Sequence, residues 1–140
     1  MIRKIRLEDL DSVYSLLNEL YNSKIDYDIF QKKYVEYLKG TETYGITIEI
    51  DNKIIGVLIS RIINRLVKDR KTLFIDELII DESYRRKGYG KKLLSRAIDF
   101  AKDNSYGAVE LTSHIENIGA HKLYQEVGFE KQHYKFKMKL

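Results

Sequence analysis

One α/β domain built around a single central sheet is the fold class this sequence predicts, and three observations carry it. Stretches with the two-residue alternation of strands are interspersed with stretches in which apolar residues recur every three or four positions. Between Leu73 and Lys102 an apolar run rich in branched residues ends at Ile80, a short charged loop follows, and Gly88 and Gly90 open a helical segment. No proline, low-complexity tract or internal repeat marks a linker, so the 140 residues read as one domain, 1–140.

The elements follow in order. Ile2 to Arg6 reads as a strand, and Leu7 to Tyr21 as a helix with Leu10, Val13, Leu17 and Leu20 on one stripe. A second helix covers Tyr27 to Leu38 and ends at Gly40. Strands Tyr44 to Ile50 and Lys53 to Arg61 flank Asp51-Asn52, a good hairpin turn. Next come a strand from Lys71 to Ile80, a helix from Gly88 to Lys102, a strand from Ala108 to Leu111 and a helix from Ile118 to Val127. A closing strand is expected near Lys131 to Lys139, where lysines alternate with Tyr134, Phe136 and Met138.

Composition narrows the function classes. With 44% hydrophobic and 33% charged residues the chain can bury a real core. The absence of cysteine excludes disulfides, thiolate metal sites and any mechanism carried by an enzyme thiol. His114, His121 and His133 have no metal-site spacing, so no metal is expected. The N-terminal MIRKIRLEDLD lacks the apolar core of a signal peptide and no run is long enough to span a bilayer, which leads to the expectation of a cytoplasmic protein without a membrane partner. A net charge of +4 would suit nucleic acid, a membrane surface or a highly phosphorylated cofactor. The alternating basic tail is read as a strand with one wet face, and no nucleic-acid partner is expected.

The loop before the third helix is more specific. The first turn of a helix has backbone N–H groups without intrahelical partners and the positive end of the helix dipole, which together suit phosphate. Glycines let an anion approach the main chain, and Arg85, Arg86, Lys87, Lys91 and Lys92 surround Gly88, Tyr89 and Gly90 with positive charge. The spacing is that of neither a nucleotide P-loop nor a dinucleotide fold. Arg85-x-x-Gly88-x-Gly90, directly after Leu78-Ile79-Ile80, instead resembles the pyrophosphate signature of the GNAT superfamily of N-acetyltransferases. Downstream, Asn117-x-x-Ala120-x-x-x-Tyr124-x-x-x-Gly128-Phe129 resembles a second pattern of that family, in its order and at about its separation. Glu82 stands where many members have proline and Arg86 where many have glycine, and two extra residues lie before Asn117.

The resemblance implies a mixed, mostly antiparallel, twisted sheet with a splayed parallel strand pair, flanked by about four helices. It implies acetyl-coenzyme A as cosubstrate. The amides from Arg86 to Lys91, with Arg85, would hold its pyrophosphate, Leu78, Ile79 and Ile80 its pantetheine arm, and Asn117 would also take part in binding it. Tyr124 sits at the family's usual general acid, and a homodimer is the family's expectation. Since eleven residues are tyrosine, the alternative for Tyr124 is a core residue one turn from Ala120.

Acetyl transfer to an amine needs a base, because an alkyl amine with a pKa of about 10.4 is protonated at pH 7. Asp76 and Glu77 interrupt an apolar strand, where a carboxylate is costly unless paired, solvated or useful. Alternation puts them on opposite faces, and a bulge would change which points inward. Glu110 is a third candidate. The acceptor is expected to be a small-molecule amine bound between about Tyr14 and Arg70, where Asp26, Asp28 and Glu36 could contribute or could simply be solvated helix faces. A GNAT subgroup that includes aminoalkylphosphonate acetyltransferases resembles the chain around Glu110-Leu111-Thr112-Ser113 and Ala120-His121, which would put His121 near the acceptor. The alternatives are a protein N-terminus or lysine as acceptor, or a regulator that binds acetyl-coenzyme A without turnover.

Overall fold

A computed structural model of the chain describes residues 1–22 and 24–140. Strand β1 (Ile2–Lys4) leads through a 3-10 turn (Leu7–Asp9) into helices α1 (Leu10–Tyr21) and α2 (Tyr27–Lys39). Strands β2 (Thr43–Ile50), β3 (Lys53–Ile63) and β4 (Thr72–Ile80) follow, then α3 (Tyr89–Asp103), β5 (Ala108–Leu111) and α4 (Ile118–Val127). The sheet order is β1-β2-β3-β4-β5. Its first three pairings are antiparallel and β4–β5 is parallel, as a strand–helix–strand crossover through α3 requires.

Local chemistry explains most boundaries. Asp51 and Asn52 both have left-handed backbones, at φ 50° and 63°, the requirement of the tight hairpin turn joining β2 to β3. Asp26 caps α2 by accepting from the Ile29 N–H at 2.9 Å, so this acid serves the helix end rather than a pocket. At the start of α1, buried Asp9 takes two bonds from the Arg3 guanidinium (2.8 and 2.9 Å) and one from the Arg6 N–H. Burial alone would raise the Asp9 pKa, but these bonds and charges outweigh it and hold it below the usual value.

Both faces of the sheet are covered. On one, Val13, Leu16 and Leu17 of α1 and Tyr34 of α2 pack against Val57 and Ile79. On the other, Leu93, Leu94, Ala97 and Ala101 of α3 pack against Ile46, Leu58, Leu73 and Ile75. Helix α4 lies beside α3, contributing half-buried Leu123, Tyr124 and Val127 but no fully buried residue. Leu20, expected on the buried stripe of the first helix, is 40% exposed.

The expected closing strand is absent. Residues 130–140 are irregular and exposed, with no ladder to β5 or any other strand. The alternation has the right period, but a strand exists only where a partner edge satisfies its N–H and C=O groups, and the tail leaves its own body after Phe129.

Candidate active site

Strand β4 carries two of the candidate carboxylates, and a bulge decides where they point. Ile59 of β3 stands opposite Glu77 and Ser60 opposite Ile75, which leaves Asp76 as the extra residue. Before the bulge Leu73 and Ile75 pack toward α3; after it Leu78 and Ile80 do so, while Ile79 joins the core under α1 and α2. Asp76 and Glu77 therefore do not separate onto opposite faces. The Tyr21 hydroxyl, from the end of α1, donates to Glu77, and the charge of Asp76 is felt at Tyr21 and Tyr37. Burial, then the bond to Glu77 and the two carboxylate charges, pushes the Tyr21 hydroxyl well above the ordinary phenol range.

The three carboxylates differ in their company. Asp76 makes a two-pronged ion pair with Arg61, at 2.7 Å to each oxygen. Glu110 pairs with Arg65 at 3.2 Å. Glu77 has no cation partner among the described residues. Burial raises its pKa, the Tyr21 hydrogen bond opposes the rise, and the neighbouring Asp76 charge adds to it. Among the three, Glu77 is the carboxylate that no guanidinium neutralises among the described residues.

At the end of β4 the chain turns through a 3-10 segment, Glu82–Tyr84, into the glycine loop. Gly88 is the N-cap of α3 with φ 86°, and a Cβ there would meet no heavy atom within 4 Å. The first helical bond is Lys92 N–H to Gly88 O at 3.1 Å, so the amides of Tyr89, Gly90 and Lys91 precede the ladder. Lys91 and Lys92 also line an open groove of about 600 Å³ running along α3 past Ser95 and Arg96. Lys87 stacks over the Tyr84 ring and Lys92 over the Tyr89 ring. Arg85 is differently engaged: its Nε donates to Ile80 O at 2.9 Å and its Nη2 to Glu19 Oε1 at 3.1 Å, tying the loop to β4 and α1.

Arg86 has φ 60°, a left-handed backbone where a Cβ costs about 1–2 kcal/mol. Arg86→Gly is expected to leave thermal stability unchanged or raise it by up to about 1 kcal/mol. The same variant removes a cation and should weaken binding of a phosphate ligand, a split that paired melting and calorimetric measurements would read.

Between the carboxylates and the loop, β4 runs free. It pairs with β5 only from Thr72 to Ile75, against Ala108 to Leu111, and continues to Ile80 with β3 alone. Its main-chain groups beyond the bulge thus face an open wedge. Gly90, Ile80 and Leu123 meet at the mouth: a Cβ on Gly90 would lie 3.6 Å from Leu123 and 3.8 Å from Ile80. The neighbouring Tyr124 packs edge-on against Phe129, with ring centroids 6.0 Å apart. Among the described residues its hydroxyl makes no hydrogen bond, and burial raises its pKa, which keeps the proton on oxygen. Asn117 caps α4, accepting from the Ala120 N–H at 3.2 Å. His121 Nε2 lies 2.9 Å from His114 O and closes the loop between β5 and α4.

Three residues of this arrangement carry no sequence signal. Tyr21, Arg61 and Arg65 are the partners of Glu77, Asp76 and Glu110, yet Tyr21 lies 56 positions from Glu77 and the arginines sit in or after an ordinary sheet strand. Only the register of β3 on β4 and the docking of α1 bring them together.

Residues 10–129 match the family model described as the acetyltransferase (GNAT) family. An uncharacterized N-acetyltransferase of Methanocaldococcus jannaschii is 30% identical over 94% of this chain, which spans 61% of that relative's length. An aminoalkylphosphonate N-acetyltransferase of Salmonella typhimurium is 25% identical over 96% of this chain and 88% of its own. Among solved structures, a Bacillus halodurans transcriptional regulator superposes with a TM-score of 0.92 at 20% identity, covering 100% of this chain and 99% of the other, a likeness of fold.

Proposed function

The chain belongs to the acetyltransferase (GNAT) family, and on that premise we propose that it transfers the acetyl group of acetyl-coenzyme A directly to a primary amine of a small molecule. One observation carries the reading. The free length of β4, from the bulge at Asp76 to Ile80, runs between Glu77 and the amide-rich start of α3, so that a proton acceptor and an anion cradle stand at the two ends of one unpaired strand edge.

The residues fit the cosubstrate. A pyrophosphate finds three unpaired amides, a glycine with open space above its Cα and the positive end of α3. Lys91, Lys92 and Arg96 supply cations beyond the loop. Peptide groups of β4 after Ile75 have a free edge to meet the amide groups of a pantetheine arm. In this assignment Arg85 positions the loop through Ile80 and Glu19 and need not touch phosphate. Direct transfer suits a chain without cysteine.

Glu77 takes the proton of the attacking amine, directly or through a water, and Tyr21 orients it. Tyr124 donates a proton to the departing thiolate, for which its raised pKa keeps it in the protonated form. The neighbourhood of Glu77 favours a small cationic acceptor: Asp76, Tyr21 and Tyr37 line the α1–α2 side with acidic and hydroxyl groups. The name of the Salmonella relative, an aminoalkylphosphonate N-acetyltransferase, adds weight to a small amine.

The test is calorimetric titration with acetyl-coenzyme A, followed by a panel of small amines and peptides with thiol release monitored. Binding with release on a small amine supports the proposal; binding with release on peptides alone replaces the acceptor, and no binding overturns it. Tyr124→Phe is expected to lower turnover by about 10²-fold while leaving the affinity for the coenzyme within a factor of two. An unchanged turnover would remove Tyr124 from the chemistry.

A further inference from the structure

We propose, on the reading that Glu77 takes the proton of an attacking amine, that the acceptor is an amino acid: an amine with a carboxylate a few bonds from its nitrogen, that carboxylate being held by the free edge of the Arg61 guanidinium.

The register of the sheet builds the site. Arg61 of β3 stands opposite Phe74 of β4, and Phe74 opposite Glu110 of β5, a row across three strands. Leu73 and Ile75, on either side of Phe74, pack toward α3, so the row lies on the other face of the sheet, the side of α1 and α2. The anion cradle at the start of α3 belongs to the opposite side, so cosubstrate and acceptor reach the free edge of β4 from different faces. Phe74 is half-buried yet packs in neither core, and the Arg61 guanidinium lies over its ring at 5.4 Å.

Arg61 is fixed in place and only half used. Asp76 takes its Nε and Nη2 at 2.7 Å each, and among the described residues the guanidinium makes no other hydrogen bond. A guanidinium carries five N–H groups, so the outer edge, Nη1 with the second hydrogen of Nη2, keeps two parallel donors, the geometry a planar carboxylate accepts. The side chain is 54% exposed, which leaves that edge within reach of a ligand. As a purely structural device such an exposed pair contributes only about 0–1 kcal/mol. The distance to the base also suits an amino acid. Ile59 stands opposite Glu77, two residues from Arg61, or about 7 Å along the strand, and the guanidinium leans back to Asp76, the neighbour of Glu77. A carboxylate on Arg61 therefore leaves its amine a few bonds away, at Glu77.

Charge makes the same selection. Arg61 covers Asp76 and Arg65 covers Glu110, so Glu77 remains for the ammonium and the outer edge of Arg61 for one further anion. A simple amine would use only the first of these. A dianionic acid group would bring a second negative charge among three carboxylates, whereas a carboxylate brings one. In the transfer the N–C bond forms and the thioester C–S bond breaks. The nitrogen's proton goes to Glu77, the thiolate takes one from Tyr124, and the acceptor's carboxylate stays on Arg61 unchanged.

The test measures thiol release at saturating acetyl-coenzyme A on the common L-amino acids, β-alanine and γ-aminobutyrate, each against its primary amide, with aminoalkylphosphonates of matching length. For at least one amino acid, kcat/KM is expected to exceed that of the amide and of the phosphonate by roughly tenfold or more. Amidation lowers the pKa of a nearby amine, which by itself favours the amide, so a preference for the acid has to come from recognition. Arg61→Gln should bring the acid-to-amide ratio to within about twofold of one. Arg61→Lys, which keeps the charge beside Asp76 but has no planar fork, should lower the ratio as well. Because the ratio compares two substrates on one variant, damage to the fold or to Glu77 cancels from it. Equal turnover of acids and amides, a preference for the phosphonates, or a ratio unchanged in both variants would each overturn the proposal and leave acetyl transfer standing. Coenzyme binding without thiol release on any amine would overturn both.

Discussion

Gly88→Glu is expected to weaken acetyl-coenzyme A binding by at least a hundredfold, close to abolition in a calorimetric titration, with the fold retained. Two effects combine. The backbone at Gly88 is left-handed, at φ 86°, and any Cβ there costs about 1–2 kcal/mol. That strain is tolerable for the fold, because the space above Gly88 is empty and no neighbour has to move. The larger effect is electrostatic: the new carboxylate would sit on the unpaired amides of Tyr89, Gly90 and Lys91 and occupy the place proposed for an anion. Gly88→Ala separates the two, since it carries the strain without the charge. It should lower the melting temperature as Gly88→Glu does but weaken binding far less. If Gly88→Glu binds the coenzyme within a factor of two of the parent, the loop is not the pyrophosphate site.

That loop was legible in the sequence because its physics is local. A glycine pair after an apolar strand fixes both the turn and the helix start, and Asp51-Asn52 fixes the β2–β3 hairpin in the same way. What distinguishes the surroundings of Asp76, Glu77 and Glu110 was not legible. It depends on a bulge defined only by the β3–β4 register, on two arginines that neutralise Asp76 and Glu110, and on Tyr21 arriving from the end of a distant helix. The partners of Arg85 show the same limit: its bonds to Glu19 and the Ile80 carbonyl come from the packing of α1 against the loop, which no spacing in the sequence announces. The tail shows a third kind of limit. Its alternation has the period of a strand, yet residues 130–140 form none, because periodicity carries no information about whether a partner edge is in reach.

Glu77→Gln is expected to cut turnover by about 10²–10⁴-fold, the usual cost of losing a general base. The substitution preserves shape, and the amide oxygen can still accept from Tyr21, so coenzyme affinity measured by calorimetry should be unchanged. The pH profile gives a sharper check. As the proposed base Glu77 works as the carboxylate, so kcat/KM is expected to fall as pH drops through its pKa, with burial setting that acid limb above the ordinary carboxylate range. The Tyr21 hydrogen bond stabilises the carboxylate; Tyr21→Phe removes it and should move the limb to higher pH. The Asp76 charge destabilises the carboxylate, so Asp76→Asn should move the limb to lower pH, with a smaller loss of turnover than Glu77→Gln causes. Opposite displacements from two neighbours of one carboxylate would identify Glu77 as the titrating group. Should Asp76→Asn instead remove activity while Glu77→Gln retains it, the base is Asp76, and its ion pair with Arg61 must open during the reaction.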